Sequence, residues 1–141
     1  MSSVSIQAVS RTFEGRKGQR TQALLPVDFE VRDNDFVTIL GPSGCGKSTL
    51  LRIVAGLDHA TSGRVLLDGV PVEGPGADRG MVFQSYTLFP WLTIEQNIRF
   101  GLRERGMPEA QQKERAAYFI AKVGLRGFEQ HFPKQLSGGM Q

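Results

Sequence analysis

The sequence predicts an α/β fold, and three observations predict it. A short β-branched run, FVTIL (residues 36–40), leads into a glycine-rich turn, GPSGCGKST, and then into apolar residues at helical spacing. The residues before that run alternate in the manner of strands. From Thr93 onward the apolar period becomes that of a helix. The expected order is an antiparallel β-rich part, an α/β core element and a helical part.

Each element has its own justification. Val4 to Phe13 alternates loosely, and the polar turn EGRKGQR separates it from a second strand candidate over Gln22 to Val31. Arg16, Lys17 and Arg20 cluster in that turn, where solvation accounts for them. FVTIL suits a buried strand. Leu50, Leu51, Ile53, Val54 and Leu57 predict a helix from about Lys47 to Leu57. A hairpin is expected from Arg64 to Val72, turning at Asp68-Gly69, and GMVFQ (80–84) reads as a short strand ending in a polar residue. Thr93 caps a helix carrying Ile94, Ile98 and Leu102. Pro108 opens another, with Ala116, Phe119, Ile120 and Val123 on its apolar face and Gly124 closing it.

Composition narrows the class. The chain has 141 residues, 40% hydrophobic and 22% charged, which suits one ordinary globular domain. No apolar run approaches the ~20 residues of a membrane span. MSSVSIQAVS has neither the basic start nor the apolar stretch of a signal peptide, so export is not expected. Cys45 is the only cysteine, which excludes an internal disulfide and fits a reducing compartment. The net charge of +3 suits a protein that handles anions without selecting one.

The chemistry sits in residues 41–49. Gly41, four intervening residues (Pro42, Ser43, Gly44, Cys45), then Gly46, Lys47 and Ser48 match the phosphate-binding loop pattern in full. Glycines let the backbone curl so that N–H groups converge on phosphate oxygens, and the following helix adds its positive end. Lys47 is expected on the β- and γ-phosphates of a nucleotide, the Ser48 hydroxyl on Mg²⁺, and Thr49 near the α-phosphate. Cys45 reads as a small space-filler rather than a nucleophile. Its thiol would still make binding sensitive to alkylation.

Two further stretches stand in a telling order, MVFQ ending at Gln84 and LSGGMQ beginning at Leu136. With them the sequence resembles the ATP-binding subunits of ATP-binding cassette (ABC) transporters over nearly all of its length. Phe13, GPSGCGKST, MVFQ and LSGGMQ stand where that family has its A-loop, Walker A, Q-loop and signature. The resemblance implies a P-loop NTPase fold of the ABC ATPase kind. Residues 1–35 and 62–76 would form the β-subdomain, 36–61 and 77–86 the RecA-like core, and 87–141 the helical subdomain. It further implies that Phe13 stacks on adenine, against the alternative of a packed strand residue. Gln84 would position the Mg²⁺ or the attacking water. Ser137, Gly138 and Gly139 would bind the γ-phosphate of ATP held by the opposite subunit. The implied partners are a second ATP-binding subunit in a head-to-tail dimer, transmembrane permease subunits and, indirectly, a periplasmic or surface substrate-binding protein; nucleic acid is not among them. The implied location is the cytoplasmic face of the membrane.

LFPWLTIEQNI (88–98) and Met140 resemble the nitrate, sulfonate and taurine import group, with Phe89 and Trp91 as anchors for the permease or, alternatively, as core residues. RVLLDG imitates a Walker B strand, but Asp68 precedes Gln84, is followed by Gly69 and sits at a hairpin turn. His59 and His131 read as loop residues. The resemblance also implies a longer chain, in which a Walker B Asp, a catalytic Glu, a D-loop and a switch His follow the signature. On that basis these 141 residues are not expected to turn over ATP alone, and FVTIL would lie beside an open, aggregation-prone edge. The rival readings are a regulatory nucleotide-binding module, a small-molecule kinase and a DNA-repair type of ATPase. A kinase leaves LSGGMQ unexplained. The DNA-repair type needs a long insertion that the interval between Gln84 and Leu136 does not hold.

Overall fold

The structure, a computed structural model, describes residues 3–15 and 18–140. Arg16 and Lys17 of the basic turn, and Gln141 of the last motif, lie outside the described residues. The chain divides into two compact units, Met1–Met81 and Val82–Gln141.

The first unit is a four-stranded sheet with one helix. Strands β1 (Val4–Glu14) and β2 (Arg20–Val31) pair antiparallel, β3 (Ser62–Leu67) pairs on the other side of β1, and β4 (Val70–Pro71) follows. The register of β1 slips between Ile6 and Val9, where Ala8 takes φ 48°. A bulge turns an N–H out of the ladder, and the Asp28 carboxylate accepts it from Ala8 at 2.6 Å. The hairpin turn falls at Asp68-Gly69 as expected, with φ 51° and 80°, the left-handed pair that a two-residue type I′ connection demands. The Asp68 carboxylate accepts the N–H of Ser3 at 2.6 Å, so this acid anchors a turn. Helix α1 (Lys47–Val54) lays Leu50 and Ile53 into a core with Ile6, Val9, Leu24 and Val65. Each such side chain contributes roughly 1.5–3 kcal/mol. The helix stops short of Leu57, which stays exposed.

Two expected strands do not form. Residues 36–40 and 80–84 belong to no strand of this structure, and Phe36, Leu40 and Val82 are 94%, 87% and 97% exposed. β-branched residues suit a pleated, covered surface, but a strand exists only when its backbone finds a ladder partner. No described strand offers one to either segment.

The second unit is built on helices α2 (Ile94–Glu104) and α3 (Glu109–Lys122), followed by single 3₁₀ turns at Pro133–Gln135 and Gly138–Met140. Thr93 caps α2 as expected, in a reciprocal arrangement. Its hydroxyl accepts the Gln96 N–H at 3.3 Å, and the Gln96 side chain accepts the Thr93 N–H at 2.9 Å. Ile94, Ile120, Leu125 and Leu136 form the core, with Ala116 fully buried on α3. Phe119 and Val123, expected on the buried face of α3, are 42% and 62% exposed. They line an open groove of about 450 Å³ with Leu88, Ile98, Gly139 and Met140. The apolar stripe of α3 is wider than the surface this unit covers.

Thr93→Ala is expected to weaken the second unit by about 1 kcal/mol through its lost cap, with faster hydrogen exchange at the first-turn amides of α2 as the check. A hydrogen bond and charge from Lys113, with Arg99 adjacent, hold the Glu109 carboxyl below its ordinary value of 4.5. A depressed carboxyl supports the fold above its unfolded value and loses that support as pH falls through its folded one. Glu109→Gln should therefore flatten the melting-temperature profile below about pH 4.5, and only slightly, since the pair is exposed.

Candidate functional site

The loop at 41–49 is closed by its own lysine. The Lys47 ammonium donates to the carbonyls of Gly41 and Pro42, both at 2.7 Å, and lies 3.4 Å from Cys45 Sγ. Lys47 is also the first residue of α1, and no side chain among the described residues caps that helix. The N–H groups of a first helical turn have no partner inside the helix, and the helix dipole makes that end an anion site. Gly46 stands just before it with φ 95°. A Cβ there would overlap the Ala23 carbonyl of β2 and meet Leu24 Cδ1 at 3.0 Å. The turn therefore requires glycine twice, for its left-handed backbone and for its approach to the sheet. The side chain of Ser48 is exposed on the first turn, and Thr49 is half-buried.

Phe13 stands near the end of β1, 41% exposed. One face of its ring carries the Arg11 guanidinium, 4.5 Å from the centroid, and Arg11 is bridged to Asp58 at 2.7 Å. His59 is exposed, with its N–H on the Asp58 carboxylate.

The second unit holds the remaining predicted residues. Gln84 is exposed on a segment without regular structure. Two residues on, the Tyr86 hydroxyl lies against Gly138, 2.8 Å from where a Cβ would be. The Tyr86 side chain thus reaches Gly138 in the Ser137-Gly138-Gly139 turn. The Ser137 carbonyl accepts the Met140 N–H at 2.9 Å, closing a single 3₁₀ turn. Phe89 packs against Phe100 and Trp91 at 4.6 and 5.4 Å, whereas Trp91 itself is 69% exposed. Asn97 clamps this turn. Its side chain accepts the Phe89 N–H at 2.8 Å and donates to the carbonyls of Phe89, Leu92 and Thr93 at 3.0–3.2 Å. His131 is a packed loop residue beside Phe128, with its carbonyl on the Ile94 N–H.

Arg11, Tyr86 and Asn97 were not singled out from the sequence. Arg11 had a legible signal, since residues two apart on a strand share a face. Tyr86 and Asn97 act through distant or turn backbone, which periodicity does not report.

Among the described residues no group of three or more His, Cys, Asp and Glu is arranged to hold a metal ion. Ser48, an exposed residue on the first turn of α1, carries a hydroxyl oxygen of the kind that suits a hard divalent cation.

Comparison with known proteins places this geometry in context. Residues 24–141 match the family model described as ABC transporter. An uncharacterised ABC transporter ATP-binding protein of Methanocaldococcus jannaschii is 54% identical over 138 residues, covering 98% of this chain and 51% of the relative. A nitrate import ATP-binding protein of Synechocystis is 46% identical over 138 residues, covering 98% of this chain and 52% of that protein. A taurine import ATP-binding protein of Burkholderia pseudomallei is 48% identical over all 141 residues, 54% of its own length. The chain spans about half the length of the curated relatives it matches. Among solved structures, a dimeric ATP-binding cassette in a post-hydrolysis state, bound to ADP and Pi, superposes with a TM-score of 0.85 at 32% identity. That match covers 97% of this chain and 64% of that one.

Gly46→Ala is expected to lower stability by about 1–3 kcal/mol and to abolish anion binding at the loop, read by thermal melting and by titration with inorganic tripolyphosphate.

Proposed function

The chain belongs to the ABC transporter family, and from that premise we propose that it is the ATP-binding part of an importer. In this reading the protein couples ATP binding and hydrolysis to uptake of a small anion such as nitrate, a sulfonate or taurine. The observation that carries it is the self-closed loop at the uncapped start of α1, with Lys47 held by two loop carbonyls.

The residues take roles by their chemistry. An arriving triphosphate competes with the Gly41 and Pro42 carbonyls for the Lys47 ammonium, and the backbone N–H groups from Gly44 to Ser48 receive the phosphate oxygens. Ser48 would hold Mg²⁺, whose charge offsets that of the β- and γ-phosphates. Phe13 offers a flat face to the base, which any purine satisfies without hydrogen bonds. Gln84 orients water or the metal from the segment that Tyr86 seats on Gly138. The Ser137-Gly138-Gly139 turn offers backbone donors to the γ-phosphate of ATP on a second subunit. Head-to-tail pairing then places two nucleotides between two subunits, and closure and reopening drive transport.

The domain reading follows the same lines. Residues 1–35 and 62–76 serve as the β part, 36–61 and 77–86 as core, and 87–141 as the helical part that carries the signature. No described helix is long and apolar enough to cross a membrane. In the proposed assembly, association with the cytoplasmic face runs through permease subunits. The exposed Trp91, backed by Phe89 and pinned by Asn97, is the anchor proposed for that contact. The nitrate and taurine import relatives support the substrate class.

Labelled ATP should bind the full-length protein saturably with Mg²⁺, and Lys47→Ala should weaken it more than about tenfold, as loss of a charge-assisted contact predicts. Binding that is absent, or indifferent to Lys47, would overturn the assignment. Trp91→Ala should leave ATP binding intact and reduce co-purification with membranes.

A further inference from the structure

Arg11 is placed as if to serve Phe13. The two stand two residues apart on β1 and share a face of the strand. The guanidinium carbon lies over the ring, 4.5 Å from its centroid, within cation–π range. With one face taken by Arg11, the residue is still 41% exposed. Arg11 does not stand where its own hydrogen bonds are best. Its Nε is buried and makes no bond to a described residue, although a planar guanidinium has five donors to place.

What holds Arg11 there is Asp58, at 2.7 Å, with the two side chains 23% and 19% exposed. Asp58 follows the C-terminal end of α1, the helix whose first turn forms the phosphate site. At its other end α1 begins at Gly46, which lies against Ala23 and Leu24 of β2. Leu24 is the ladder partner of Arg11 on β1, one strand spacing away, or about 5 Å. The pair Arg11 and Asp58 thus ties the ring that would meet the base to the helix that would meet the phosphates.

We propose that Arg11, locked by Asp58, is a positioning residue for the nucleobase: it backs the Phe13 ring and fixes its open face relative to the phosphate loop. This rests on the reading that Phe13 carries the base. A cation on one face also draws electron density from the ring and favours an electron-rich purine on the other. Arg11 itself touches no part of the nucleotide in this arrangement.

The test compares ATP with inorganic tripolyphosphate, which has phosphates and no base, on the full-length protein with Mg²⁺. Arg11→Gln should weaken ATP about three- to tenfold, the scale of a partly buried cation–π contact, and leave tripolyphosphate unchanged. In a Phe13→Ala background the same change should add no further loss. Equal losses on both ligands, no loss on ATP, or additive losses in the double variant would each overturn the proposal and reduce Arg11 to a staple between β1 and α1. If Phe13→Ala alone leaves the ATP-to-tripolyphosphate ratio at its wild-type value, the base-stacking reading fails first and takes the proposal with it. Should Arg11→Gln not fold, as judged by its melt, Arg11→Lys is read the same way, since it keeps the charge facing Asp58 and loses the flat face.

Discussion

The first unit depends on one close approach. Gly46 lies so near the Ala23 carbonyl that no side chain fits between them. From that contact α1 leaves at an angle that drops Leu50 and Ile53 onto Ile6, Val9 and Val65. The same glycine, in a left-handed conformation, stands immediately before the first turn of α1. The loop's turn and the packing of the helix are thus set by one backbone position. Lys47 completes it, because its ammonium occupies the Gly41 and Pro42 carbonyls and holds the curl closed. Those two bonds order the loop backbone from Gly41 to Lys47.

The second unit rests on side chains that satisfy backbone. Thr93 and Gln96 cap α2, and the carbonyls of His131 and Glu129 take the N–H groups of Ile94 and Glu95. Asn97 meets four backbone groups of the turn before the helix. That turn carries an exposed tryptophan, and an exposed aromatic is useful as an anchor only if its backbone is rigid. The contact of Tyr86 with Gly138 gives the Gln84 segment and the signature turn a shared footing.

Much of this was legible in the residues. The loop match, the Asp68-Gly69 turn and the Thr93 cap depend on local chemistry, and all three appear where the residue types call for them. The strands expected at 36–40 and 80–84 failed for a different reason. FVTIL and GMVFQ have the composition of buried strands, yet composition does not supply a neighbour, and here neither pairs. Phe119 and Val123 make the same point on a helix, where the period marks a face without saying how much of it is covered.

The sequence by itself determined what is set within a few residues: the phosphate loop, the caps, the hairpin turn and the order of the motifs that identify the family. These are settled by φ preferences and by hydrogen bonds that span three to six positions. Only the tertiary structure decided which long-range groups meet. It brought Asp58 to Arg11, set Tyr86 against Gly138, and left Trp91 outside while packing Phe89 in. Such contacts follow from where strands and helices stop and cross, and no local pattern encodes that.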